Sequence, residues 1–213
     1  MKEKMKDSGI PWIGQIPEDW EVCKIKFLCS EIFSGGTPST NNDKYWNGDI
    51  PWLQSGKIQN DYIFEYDKTI TKEGLENSST KMVMKDSILL AMTGATCSNV
   101  GYLTFNSCAN QSVMAYIPLK NTNPKFLFYI LIACKNEILL HKNGGAQSGI
   151  NGEVCQNLYA PKLPLKIQQK IVEILDKKCG QIDELVRIEE NEIEKLKEYK
   201  TSLITKVVTK GLD

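Results

Sequence analysis

No run of 18 apolar residues occurs anywhere in the 213-residue chain, and its opening stretch, MKEKMKDSGI, has no apolar leader segment. A membrane-spanning helix needs about 20 predominantly apolar residues, so the sequence predicts a soluble, cytoplasmic protein with no membrane partner. Cysteine signals are missing as well. The seven cysteines, at 23, 29, 97, 108, 134, 155 and 179, are odd in number and contain no CxxC pair. His141 is the single histidine, so no zinc constellation exists and no metal site is expected; the thiols read as reduced core or surface residues.

Net charge is absent too. Residues 1–160 carry 15 lysines against 16 acids, and residues 161–213 carry 11 basic against 10 acidic groups. Neither part has the basic excess of a general polyanion binder. Neither GxGxxG nor GxxxxGK[ST] occurs, which leaves no glycine-rich phosphate cradle. Asn123-Pro124-Lys125-Phe126 lacks the second proline of the Asn/Asp-Pro-Pro-aromatic loop of amino-methyltransferases and sits at a helix start, where capping is the expected role of Asn123. His141 has no identifiable nucleophilic partner, and the acid pairs Asp183–Glu184 and Glu189–Glu190 lie on a solvated helix face. No catalytic residue and no resident cofactor are expected.

What the chain does have is a long helical repeat over roughly 166–210. Its apolar residues Leu175, Ile182, Val186, Ile193, Leu196, Leu203 and Val207 are spaced by seven, four, seven, three, seven and four. That is a period of about 3.5, which favours a coiled coil over a straight helix repeating at about 3.6. A helix this long spans on the order of 65 Å, more than a small domain can cover, so the seam calls for a second helix, most simply its own copy. The alternative is an amphipathic helix folded on its own domain. Glu189 and Lys200 interrupt the seam, setting register or marking a bend, and Gly180 within the helix costs about 1 kcal/mol.

Ahead of the helix, the pattern predicts an α/β (α+β) globular domain over 1–163, with the helix over 164–213. GIPWIGQIPEDW is read as an extended arm packing two Trp rings. Strand patterns follow over 21–33, 50–58, 81–105 and 108–119, with a long polar loop over 34–49. A core helix is expected over 123–143 from its apolar stripe, then a flexible GGAQSGING loop and a strand closed by Pro161 and Pro164. Polar side chains gather in three clusters: Thr37, Ser39, Thr40, Asn41, Asn42 and Lys44, followed by Gln54, Ser55 and Lys57; Thr93, Thr96, Ser98 and Asn99; and Gln147, Ser148 and Asn151. Asn and Gln can read adenine bidentately, Lys reads guanine or phosphate, and Ser or Thr reads either. Polar loops are also the ordinary surface of any domain.

The order WIGxIPxxW at 12–20, GGTPS at 35–39, YWxGxIPWL at 45–53, NQS at 110–112 and GGAQSGI at 144–150 resembles the target recognition domain of Type I restriction-modification specificity subunits. LPLxxQxxIVxxLD at 163–176 and IxKLKEYKxSLIxxVVTKG at 193–211 resemble the conserved-region helix of that family. The resemblance implies a non-catalytic DNA-recognition subunit. It implies two such units with antiparallel helices, each reading half of a bipartite site; one unit is present here, so a half-subunit pairing with itself or with a second specificity chain would read a split palindrome. It also implies methyltransferase subunits that bind S-adenosylmethionine, and a restriction (motor-nuclease) subunit where the system has one. On this reading Thr37, Ser39, Asn41, Lys44, Gln54, Lys57, Thr96 and Ser98 are the candidate DNA contacts. The glycine pairs Gly35–Gly36 and Gly144–Gly145, and Asn110–Gln111, have a structural alternative. The competing readings are a coiled-coil adaptor that never touches DNA and a recognition cassette that recombines into a longer subunit.

Overall fold

A computed structural model describes residues 4–142 and 149–211. Contacts divide the chain into Met1–Gln169 and Lys170–Asp213.

In the first unit, β1 (Met5–Asp7) and β2 (Gln15–Pro17) pair as an antiparallel hairpin, where the sequence suggested an extended arm. Ser8 N–H bonding to the Gly14 carbonyl closes it, and Gly9 and Gly14 take the positive φ that the turn requires. β3 (Glu21–Lys24) leads into a 3-10 turn, as expected at the start of 21–33, and the chain then continues as a second strand, β4 (Cys29–Ser34), that was not expected. The polar loop ends earlier than expected. A 3-10 turn at Asp43–Tyr45 leads into β5 (Trp46–Leu53), because Asn47 adopts φ 60° and forms a bulge that keeps Trp46 in the ladder with Ile70.

Two short strands, β6 (Asp61–Ile63) and β7 (Lys68–Ile70), precede α1 (Lys72–Glu76). Then come β8 (Ile88–Ala91), β9 (Val100–Leu103), β10 (Cys108–Ala109) and β11 (Val113–Pro118). The expected single core helix is two: α2 (Pro124–Ala133) and α3 (Lys135–Leu140). The break falls at Cys134, whose ψ of −1° departs from the regular α-helical value while the residue stays in the right-handed region. α4 (Gly152–Asn157) and β12 (Tyr159–Lys162) complete the domain before α5 (Leu165–Lys210).

A five-stranded sheet in the order β4-β11-β8-β9-β6 forms the centre, antiparallel except for the parallel β6–β9 pair. Every residue of β8 and β9 is buried, as expected of strands covered on both faces. α2 packs on these two strands, with Phe128 edge-on to Tyr102 at 6.1 Å. Leu53, Ile58, Ile63, Val83, Leu89, Leu103 and Val113 fill the opposite side. A second sheet, β10-β5-β7, is joined to the first by chain continuity at β10 and shields Trp52, Ile70 and Cys108. Asn123 caps α2, accepting from the N–H groups of Lys125 at 2.9 Å and Phe126 at 3.3 Å, with Pro124 at the first helical position.

The helix α5 has 46 residues, about 70 Å at 1.5 Å per residue. From Gln181 to Lys210 every residue is exposed, including Ile182, Val186, Ile193, Leu196, Leu203 and Val207 of the seam. Leu185 and Tyr199 widen it. Among the described residues no helix is long and apolar enough to cross a membrane, and no group of three His, Cys, Asp or Glu is placed to hold a metal ion.

Candidate nucleic-acid interface

Three sequence-distant motifs converge on one cleft of about 440 Å³, lined by Thr37, Thr40, Asp43, Trp46, Trp52, Gln54, Lys68, Asn110 and Gln111. Next to it in the chain, at Gly35–Gly36, backbone packs on backbone. A Cβ at Gly35 would lie 2.1 Å from the Ala109 carbonyl oxygen, and one at Gly36 would lie 2.5 Å from the Thr80 amide nitrogen. The Gly36 N–H instead donates to the Ala109 carbonyl at 2.8 Å, and the Gly35 N–H to that of Val113 at 3.0 Å. The structural alternative for this glycine pair is therefore correct. Only glycine admits so close an approach.

The rim is held by two indoles. Trp52 Nε1 donates to the Gly36 carbonyl at 3.0 Å, and Trp46 Nε1 donates to the Ser39 carbonyl at 3.1 Å. The two rings meet edge-to-face at 5.1 Å, an arrangement worth about 0.5–1.5 kcal/mol beyond burial. One strand, β5, thus pins the 36–39 loop at both ends. Thr37 lies between the pins and donates from Oγ1 to Gln111 Oε1. Gln111 stands on the β10–β11 turn, which Asn110 shapes: its Oδ1 accepts from the Ser112 N–H at 3.2 Å and its N–H donates to the Leu53 carbonyl at 2.9 Å.

Of the eight predicted contacts, Thr37 and Gln54 line this cleft. Ser39, Asn41 and Lys44 are exposed on the loop that borders it. The Lys44 carbonyl accepts from Thr71 Oγ1 at 2.7 Å, which ties the loop to the start of α1. Lys57 is elsewhere. Its ammonium lies 2.8 Å from Asp67 Oδ1, in a shallow depression shared with Asp61, Phe64 and Glu65. Thr96 sits half-buried on the β8–β9 turn and gives its carbonyl to the Asn99 N–H.

Ser98 requires a correction. It is fully buried, with φ 76° and a hydroxyl that meets no partner among the described residues. Its polar neighbourhood suggested surface, but the left-handed backbone turns it into the domain, out of reach of a base. Neighbouring Asn99 is structural, donating to the Ile58 carbonyl at 3.0 Å and accepting from Asn60 Nδ2 at 3.1 Å. In the third cluster, Asn151 caps α4 through Val154 N–H at 2.9 Å; Gln147, Ser148 and Gly144–Gly145 lie outside the described residues.

Seven of the nine cleft residues were outside the predicted contact set: Thr40, Asp43, Trp46, Trp52, Lys68, Asn110 and Gln111. Gln111 and Asn110 belong to NQS, which lies in the same motif series as GGTPS and YWxGxIPWL, so a shared site was the available signal. Lys68 had none, since it sits on a three-residue strand.

A family model described as the Type I restriction modification DNA specificity domain matches residues 17–198. The Type I restriction enzyme MjaIX specificity subunit of Methanocaldococcus jannaschii is 30% identical over 76% of this chain and 38% of its own length. The EcoR124I/EcoR124II specificity subunit of Escherichia coli is 30% identical over 68% of this chain and 37% of its own. The crystal structure of the HsdS subunit from Thermoanaerobacter tengcongensis shares the fold, with TM-score 0.68 at 19% identity over 92% of this chain and 46% of that one. The chain spans about half the length of the solved relatives that it matches, or less than half of the curated ones. This chain belongs to the Type I restriction modification DNA specificity domain family.

Proposed function

We propose that this chain is one DNA-reading half of a specificity subunit, that it pairs through α5 with a second copy, and that the pair directs methyltransferase subunits to a split palindrome. The observation that carries the pairing is the placement of the two charges that interrupt the seam. In an antiparallel pair centred between Glu194 and Lys195, Ile193 faces the second copy's Leu196, Val186 its Leu203, and Ile182 its Val207. The same register sets Glu189 opposite the second copy's Lys200, twice by symmetry. A parallel pair in register sets Glu189 against Glu189 and Lys200 against Lys200. The charges favour the antiparallel arrangement, and burial of each exposed Leu, Ile or Val contributes about 1.5–3 kcal/mol.

The relatives supply the chemistry of the rest. They are named as specificity subunits of Type I restriction enzymes. A subunit of this kind chooses the site, while methyltransferase subunits bind S-adenosylmethionine and flip the target adenine out of the duplex. A restriction subunit joins where the system cleaves. Two-fold symmetry in the protein requires a two-fold symmetric site. The absence of net basic charge fits a reader whose partners provide much of the phosphate contact.

The test is a methylome. The chain is co-expressed with its cognate methyltransferase in a host lacking other modification, and N6-methyladenine is mapped by single-molecule sequencing. A new split palindrome, lost when this chain is omitted, is the expected result. An asymmetric motif that requires another specificity chain overturns self-pairing. A soluble complex that yields no motif overturns the recognition reading and favours the adaptor or cassette.

A further inference from the structure

We infer that Gln111 is a specificity-determining residue and that Thr37 is its positioning residue, together reading the major-groove edge of one adenine. This rests on the DNA-recognition reading above. A glutamine amide reads adenine when its carbonyl accepts from N6 and its amino group donates to N7. An exposed glutamine ordinarily has no fixed amide orientation, because either end can turn outward. Here Thr37 Oγ1 hydrogen-bonds the Gln111 amide at Oε1, which tethers one end of that amide and leaves Nε2 as a donor beside an oxygen that retains an acceptor site. The amide therefore presents one donor and one acceptor side by side, the complement of the adenine pattern.

The pair is rigid for reasons visible in the chain. Thr37 is carried on a loop anchored at Gly36 by Trp52 and at Ser39 by Trp46. Gln111 is carried on a turn fixed by Asn110 and flanked by the buried β10 and the first residues of β11. Both lie on the cleft beside Gln54 and Lys68. Such preorganisation lowers the entropy lost when a base contact forms, and a bidentate pair discriminates between bases by on the order of tenfold to a hundredfold.

The methylation motif is mapped for the wild-type chain and for Thr37→Val and Gln111→Ala. Gln111→Ala is expected to relax one adenine position in each half-site to near-random base usage, with the remaining positions unchanged. Thr37→Val keeps the amide and frees its orientation, so it weakens preference severalfold at that same position. A Gln111→Ala motif identical to wild type overturns the assignment. So does a Thr37→Val change at a different position, or none. If Gln111→Ala abolishes methylation, Thr37→Val decides, because it leaves every amide contact available. A wild-type chain that yields no motif overturns the recognition reading, and this assignment with it.

Discussion

Gln168 Oε1 accepts the Asn123 backbone N–H at 2.8 Å, while its Nε2 donates to the carbonyls of Leu163 at 2.8 Å and Asn121 at 3.2 Å. One buried amide, 1% exposed, thus ties the first turn of α5 to the strand exit before it and to the loop that opens α2. This is the glutamine of the LPLxxQ motif. Truncation by Gln168→Ala orphans three backbone groups, each costing about 1–3 kcal/mol when buried without a partner. The expected loss is about 3 kcal/mol or more in urea unfolding of the whole chain. Gln168→Glu keeps the shape and the acceptor but sets an acceptor-only group against two carbonyls. It should destabilise nearly as much at neutral pH, which separates the hydrogen bonds from packing.

The two indole pins act differently on the domain. Trp52 is 3% exposed, so Trp52→Phe leaves the Gly36 carbonyl unpaired in the interior and lowers stability by about 1–3 kcal/mol. Trp46 is half-buried and its bond to the Ser39 carbonyl is exposed. Trp46→Phe should change global stability by less than about 1 kcal/mol. It should nevertheless speed amide exchange of residues 39–44 and weaken DNA binding, because the loop loses its second anchor. Equal exchange in the two proteins would refute the pinning argument.

The features that sequence reasoning recovered are those with a local signature. The 3.5 period of α5, the Asn123-Pro124 cap and the Pro161/Pro164 strand exit each follow from neighbouring residues. The second sheet was not legible, because β7 and β10 have three and two residues and exist only through pairing with β5. Ser98 and Asn99 failed for a related reason. Their polarity reads as surface, but the positive φ at Ser98 and the Asn60–Asn99 bond are set by strands that meet across the fold. The cleft itself lay between these cases. Its motifs were visible one at a time, and Gln111 became a partner of Thr37 only when GGTPS and NQS were folded side by side.

Burial predicts an alkaline limit to stability. It pushes the thiols of Cys29, Cys134 and Cys155 up to about 12, and that of Cys108 up to about 11, from 9.0. Folded pKa values raised above the unfolded value favour the native state fully below about 9. That contribution is lost as pH rises from 9 through the folded values, by about 1.4 kcal/mol per thiol by pH 10. Denaturation midpoints should fall between pH 8.5 and 10, and Cys155→Ala should make that slope shallower by about one proton. Iodoacetamide at pH 8 should leave these four cysteines unmodified until denaturant is added, since the thiolate is the reactive form.

The proposed helix pair and its register are open to a charge-swap test. In the antiparallel arrangement, Glu189→Lys faces the second copy's Lys200, and Lys200→Glu faces its Glu189; each single change creates two like-charge contacts per dimer. Exposed interfacial ion pairs are worth about 0.2–1 kcal/mol each, so exchanging attraction for repulsion twice should weaken dimerisation by roughly 1–2 kcal/mol, or about five- to thirtyfold in Kd. The double variant restores both attractions with the signs reversed and should dimerise like wild type. A parallel pair behaves otherwise: Glu189 and Lys200 meet their own kind in wild type, neither single change relieves or adds repulsion, and the double variant gains nothing. Sedimentation equilibrium of the four proteins at low ionic strength reads the difference, and the single-variant defects should shrink at 0.5 M salt as the charges are screened. Ile193→Asp serves as the reference for a lost seam, since it removes a central apolar contact in either orientation and should leave the globular unit folded but monomeric.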